Sequence, residues 1–352
     1  MRVNMKHNLY CYNHPFPLEC GAVLPSITIS YHTIGKLNHS ASNVIWICHA
    51  LTANSNVQDW WKNMLGKNLA FDPQEHFIVC ANIIGSCYGS TGPISINPAT
   101  GERYYHSFPL ISIRDMVAAH EVLRKHLGIQ QISMLVAGSM GGYQALEWAI
   151  MHPGIINKLA LLATAASESR WGIAIHTAQR MAIEADSTWR TNMHTAGEKG
   201  LAAARAIGMI TYRSFHSLNH HQAELHHQQL DQFKAESYIR YQGSKLVNRF
   251  NAFSYYALTR SMDTHNIARD RAESLETVLA NIEIPVLIIG ISSDLLCPVS
   301  QQEFLAAHIP NARLVIIDSL YGHDGFLVET PLIGNHLHKW HMPKKHFAIN
   351  KS

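Results

Sequence analysis

Serine chemistry is the first possibility the chain offers. Ser139 stands between Gly138 and the pair Gly141-Gly142, where the apolar run Met134–Ala137 stops and an amphipathic helical pattern through Trp148 begins. Small residues on both sides suit a strained strand-to-helix turn that lifts one side chain over the end of a sheet, the G-x-S-x-G arrangement of a nucleophile. A serine hydroxyl is weak at neutral pH; it needs a base to take its proton and a carboxylate to orient that base. Asp294, just after the apolar run Val286–Ile291, and His323, after the run Ala312–Asp318, supply both. Order and placement predict a triad of Ser139, Asp294 and His323. Acyl transfer also needs two donors aimed at a developing oxyanion. The backbone N–H of Met140, at the start of the following helix, is one, and the N–H of Leu51, in the loop His49–Thr52, is the other.

These residues need a sheet to hold them. Ser26–Ile34 alternates, as an antiparallel strand near a sheet edge does, whereas Val44–His49 and His76–Ile84 are continuous apolar runs, as in strands buried on both faces. The second run opens into the glycine-rich loop Gly85–Pro93; helical periodicity covers Ile113–Leu127, and Lys158–Thr164 is a further apolar run. Strand and helix alternate, which predicts a parallel sheet covered by helices. From about Ala166 to Asp270 the strand-like runs vanish and alanine, glutamine, glutamate, arginine and methionine dominate. Strands resume at Ile284–Ile291 and Ala312–Asp318, with a helix over Ser300–His308 between them. The economical division is one core domain, residues 1–165 and 271–352, interrupted by a helical insertion, residues 166–270. The insertion leaves from a strand's C-terminal end, the side where ligands bind, so it is placed to roof the site.

Composition narrows the function classes. A chain of 352 residues with 47 % hydrophobic and 15 % charged residues is globular, and a formal charge of +3, spread evenly apart from Lys344-Lys345, gives no footprint for nucleic acid. No apolar stretch approaches the ~18 residues of a membrane span, and the first eight residues have no apolar core of a secretory signal. Cys11, Cys20, Cys48, Cys80, Cys87 and Cys297 form no C-x-x-C pair and read as reduced thiols of a cytoplasmic protein. The 24 histidines are unusual. His220-His221 and His226-His227 lie in a polar, glutamine-rich stretch with no ligand set beside them, so solvated surface histidines are expected rather than a metal site.

Several stretches together resemble the homoserine O-acetyltransferases of the α/β-hydrolase superfamily: Cys48–Thr52, Trp60-Trp61, Gly85–Pro93, Ser95–Gly101, Phe108–Met116, Gly138–Gly142 with Gln144–Ala149, Ile210–Ser214, Tyr241–Gly243, Ser261–His265 and Gly322–Asp324. The resemblance runs from about residue 8 to 335 and implies an α/β-hydrolase fold, a mostly parallel central sheet with an inserted helical lid. It also implies ping-pong transfer of an acetyl group from acetyl-CoA, through an acetyl-serine, to the γ-hydroxyl of L-homoserine, in methionine biosynthesis, with no permanently bound cofactor or metal. By the same resemblance Arg205 meets the substrate carboxylate, Tyr212 also contacts the substrate, Asp324 meets the ammonium group, and the insertion forms a homodimer contact. Two departures bear on the acceptor pocket: Arg249–Phe253 lacks the acidic residue that often follows Arg-Phe, and Ser86 stands where a second glycine is usual. Relatives of this kind acylate serine or use succinyl-CoA, and the same triad acting on water would make an esterase. The apolar loop Asp294–Cys297 favours acetyl over succinyl, whose carboxylate wants a cation nearby.

Overall fold

The computed structural model describes residues 5–225, 228–271 and 273–341. Among the described residues ten strands form in chain order: β1 (Lys6–Tyr12), β2 (Phe16–Pro17), β3 (Val23–Leu24), β4 (Ile27–Ile34), β5 (Val44–Cys48), β6 (Phe77–Ala81), β7 (Ile132–Gly138), β8 (Leu159–Leu162), β9 (Val286–Ile291) and β10 (Ala312–Ile317). All but the small hairpin β2–β3 join one eight-stranded sheet in the order β1-β4-β6-β5-β7-β8-β9-β10. β1 pairs with β4, and β4 with β6, antiparallel; from β6 to β10 every pairing is parallel. The continuous runs of β5, β7, β8 and β9 are therefore buried almost completely, with Val44, Trp46, Leu135, Val136, Leu161 and Ile288 all sealed. The edge strand is β1, which the sequence reading does not contain; the alternating strand β4 lies one place inside it.

Helices α1 (Ile113–His126) and α2 (Met140–Met151) pack on one another beside the sheet. Ser112 caps α1: its hydroxyl accepts the N–H of Asp115, and the Asp115 carboxylate accepts the N–H of Ser112 in return. After β8 the chain builds α3 (Arg170–Glu184), α4 (Glu198–Tyr212), α5 (Phe215–His221), α6 (Lys234–Val247) and α7 (Ala252–Asp263) before it returns through α8 (Leu275–Ala280) to β9. α3 packs on α4, α4 on α6 and α3 on α7. Asn251 caps α7, its side-chain oxygen accepting the Ser254 N–H at 2.8 Å. The asparagine departure after Arg249-Phe250 thus still performs the local task of a cap. α9 (Val299–His308), α10 (Gly325–Val328) and α11 (Thr330–His341) complete the chain around β9 and β10.

The returning segment is pinned by charge. Glu147 on α2, its side chain 2 % exposed, pairs with Arg271 at 2.6 Å and Arg114 at 3.2 Å, while Glu19 pairs with Arg114 and Arg269, each at 2.8 Å. No helix among the described residues is long and apolar enough to cross a membrane. His220 and His221 are exposed on α5, as expected of them, whereas His226-His227 and Lys344-Lys345 lie outside the described residues.

Candidate active site

β7 ends at Gly138 and α2 begins at Met140, so Ser139 is the whole turn between strand and helix. Its backbone takes φ 55° and ψ −129°, a conformation that side chains other than glycine rarely adopt. The crossing is possible because of the glycines beside it. A Cβ on Gly141 would stand 2.2 Å from the carbonyl oxygen of Cys48, and one on Gly142 would stand 2.3 Å from the hydroxyl of Thr164. The turn is held from behind by Ser139 N–H donating to Leu162 O at 2.9 Å and by the Thr164 hydroxyl donating to Ser139 O at 2.9 Å.

The three predicted residues meet at this turn. The Ser139 hydroxyl donates to His323 Nε2 at 2.8 Å, and His323 Nδ1–H donates to Asp294 Oδ2 at 2.7 Å. The other carboxylate oxygen of Asp294 accepts the N–H groups of Leu296 (2.8 Å) and Cys297 (2.9 Å), which fix its plane. Burial opposes a charged imidazolium at His323, but the charge and hydrogen bond of Asp294, with Asp324 and Glu168 farther off, outweigh it and hold the ring above its ordinary value. Cys297 brings a third ligating atom within 4.8 Å of Asp294 and His323. Both carboxylate oxygens and both ring nitrogens are already committed, however, and burial drives the thiol strongly toward its protonated form.

The Met140 and Leu51 N–H groups make no backbone hydrogen bond among the described residues. Leu51 follows β5 in a loop shaped by His49, which is fully buried; burial lowers its pKa to about 4, so the ring is neutral and bonds locally to Ala50 O at 2.9 Å.

Ser139 and His323 open onto a cavity of about 400 Å³ that is also lined by Leu51, Arg205, Tyr212, Asp324 and Leu296. Arg205 and Tyr212 are seven residues apart on α4, and the guanidinium carbon lies 5.3 Å from the tyrosine ring centre. Arg205 has no carboxylate partner among the described residues. Asp324 does have one: Arg213 Nε stands 3.4 Å from Oδ2. Burial raises the carboxyl of Asp324, and Arg213, Arg205 and His323 offset this only in part. Arg213 lies in the stretch Ile210–Ser214 but has no role in the sequence reading; its relevance is a contact across 111 positions of chain that no local pattern carries. Missed too are His176 and Gln179 of α3, which line the same cavity. Of the two departures, Arg249 borders the cavity and donates to Thr52 O at 2.5 Å and to the Tyr88 hydroxyl at 2.6 Å, and the buried Ser86 hydroxyl has no partner in the structure.

An elbow serine after β7, a carboxylate after β9 and a histidine after β10 of a mostly parallel sheet define an α/β-hydrolase, and the family model described as "alpha/beta hydrolase fold" matches residues 43–330. Among solved structures, a homoserine O-acetyltransferase from Bacillus anthracis superposes with a TM-score of 0.89 at 23 % identity, covering 97 % of this chain and 99 % of that one. Esterase E22 superposes with a TM-score of 0.88 at 20 % identity over 96 % of this chain and 100 % of its own, so the fold is common to transferases and hydrolases. Sequence separates them. The homoserine O-acetyltransferase of Chlorobaculum parvum is 47 % identical over 323 residues, 91 % of this chain and 90 % of the relative, and that of Cyclobacterium marinum is 43 % identical over 329 residues, 94 % and 93 %. The chain belongs to the homoserine O-acetyltransferase family.

Proposed function

We propose that the protein transfers the acetyl group of acetyl-CoA to the γ-hydroxyl of L-homoserine through an acetyl-serine at Ser139. His323 Nε2 takes the Ser139 proton as Oγ attacks the thioester carbonyl, and the N–H groups of Met140 and Leu51 hold the oxyanion. Collapse releases CoA, whose sulfur receives the proton from His323. The acceptor hydroxyl then gives its proton to the same nitrogen and attacks the ester, and collapse returns that proton to Ser139. Asp294 keeps the imidazole in the tautomer both halves need.

What carries a transferase rather than a hydrolase is the guanidinium of Arg205, without a carboxylate partner among the described residues, in the same cavity as Ser139. Arg205 is half-buried at the cavity wall, and its fork of N–H donors fits an amino-acid carboxylate. In this reading Arg205 and the Tyr212 hydroxyl bind that carboxylate and Asp324 receives the ammonium group. The apolar Leu296 at the triad loop suits an acetyl group better than the charged end of a succinyl group. The helical segment 166–270 acts as lid and, with Trp171, Met181 and Ile210 exposed upon it, as the surface of a homodimer. A cytoplasmic enzyme of methionine biosynthesis fits the relatives' names.

The test is CoA release from acetyl-CoA and succinyl-CoA, each with L-homoserine, L-serine or no acceptor, with products identified by mass spectrometry and Ser139→Ala as control. O-acetylhomoserine formed only with Ser139 present supports the reading. Preference for serine or succinyl-CoA moves the substrate but keeps the mechanism. CoA release that is equally fast without acceptor, with acetate as product, makes the protein an esterase.

A further inference from the structure

His176 and Gln179 stand one turn apart on α3 and both face the cavity, yet neither belongs to the triad or to the Arg205–Tyr212 pair. His176 is 3 % exposed and Gln179 1 %. The ring of His176 is fixed: Nδ1–H donates to Asp263 Oδ1 at 2.8 Å, and Arg180 holds the other oxygen of Asp263 at 2.6 Å. With the proton on Nδ1, Nε2 carries the lone pair, and no residue of the protein accepts or donates there among the described residues. Behind it the polar demand is only loosely met: neither amide atom of Gln179 nor the hydroxyl of Tyr255 makes a well-formed hydrogen bond among the described residues, their nearest polar neighbour being Tyr212. Buried polar groups are paired in the great majority of cases, so unmatched ones concentrated around one cavity mark where a polar ligand completes the set.

We infer that His176, backed by Asp263, is a recognition residue for the acceptor, its Nε2 accepting a hydrogen bond from the acceptor's α-ammonium group. This rests on the transfer reading above and deepens it. Asp324 alone is poorly suited to that cation, because Arg213 already occupies it at 3.4 Å. An ammonium has three N–H donors and needs more than one acceptor. An imidazole whose Nδ1 is taken by Asp263 turns Nε2 toward the cavity as a further acceptor, beside Arg205 and Asp324. The substrate class that satisfies the wall is a small hydroxy-amino acid with both charged groups free, not a simple alcohol.

The experiment separates the two half-reactions. For wild type, His176→Leu and the milder Asp263→Asn, formation of acetyl-enzyme from acetyl-CoA is followed by mass spectrometry, and transfer is measured to L-homoserine and to 4-hydroxybutanoate, which lacks the ammonium group. The expected result is acetyl-enzyme formation within about twofold of wild type, KM for homoserine raised about ten- to hundredfold by His176→Leu and less by Asp263→Asn, and transfer to 4-hydroxybutanoate unchanged. Equal losses on both acceptors, a parallel loss of acetyl-enzyme formation, or no change at all overturns the inference. If the wild type itself transfers to neither acceptor, the transferase reading fails instead, which is a separate outcome.

Discussion

At the scale of single residues, the proposed chemistry turns on the proton held between Ser139 and His323. Asp294, and to a lesser degree Asp324, hold the imidazole above its ordinary pKa, so the neutral base becomes available only as pH rises through that elevated value. The rising limb of kcat/KM against pH is therefore expected above the usual histidine midpoint. Asp324→Asn removes one of the raising charges and should move the limb to lower pH while weakening the acceptor; a limb that stays put would remove Asp324 from the electrostatics of the base. Asp294→Asn should leave the fold intact by circular dichroism and lower kcat by about 10⁴, since the ring then loses its oriented tautomer. The triad was legible in the sequence because each member follows an apolar strand-like run at a short fixed offset. Arg213, His176 and Asp263 were not, because what makes each matter is a partner far along the chain: Asp324 for the first, and one another, 87 positions apart, for the other two.

At the scale of elements, the turn from β7 into α2 depends on close approach. Gly141 sits against the carbonyl of Cys48 at the end of β5, so Gly141→Ala forces the first turn of α2 away from that strand end. A loss of about 1–3 kcal/mol in chemical denaturation is expected, with Gly154→Ala, where a Cβ meets nothing within 4 Å but the backbone has φ 87°, as a contrast dominated by backbone strain. The parallel strands could be read from continuous apolar runs, their ends correct to within a few residues, as Ile284–Ile291 against the observed Val286–Ile291, and the helix read over Ser300–His308 is found at Val299–His308. β1 escaped because Lys6–Tyr12 has three polar residues followed by Leu-Tyr-Cys-Tyr, with neither a polar/apolar alternation nor a buried run; its pairing with β4 makes it a strand.

At the scale of the molecule, the roof over the site is fastened where its segment re-enters the sheet. Glu147 is nearly sealed from water and faces Arg114 and Arg271. Glu147→Ala leaves those guanidiniums without their buried partner, and a loss of about 3 kcal/mol, seen as a lowered melting temperature, is expected. If the clamp also holds the roof, the acceptor KM should rise with it; an unchanged KM would confine the clamp to stability. Composition foretold a helical segment between two blocks of strands, but nothing in it specified that Arg269 and Arg271 would tie that segment back to Glu19 and Glu147.

The end of α4 also touches the loop that carries the base. The Ser214 hydroxyl donates to the carbonyl of Leu320, and Gly322, at φ 64°, lies so close that a Cβ there would stand 2.8 Å from the backbone of Tyr212 to Ser214. The roof and the histidine therefore share a footing. If the proposed transfer runs through an ester on Ser139, loosening this footing is expected to tell on the base as well as on the roof: Ser214→Ala, which removes the bond to Leu320, should lower kcat together with acceptor binding, and a kcat that stays put would separate the two.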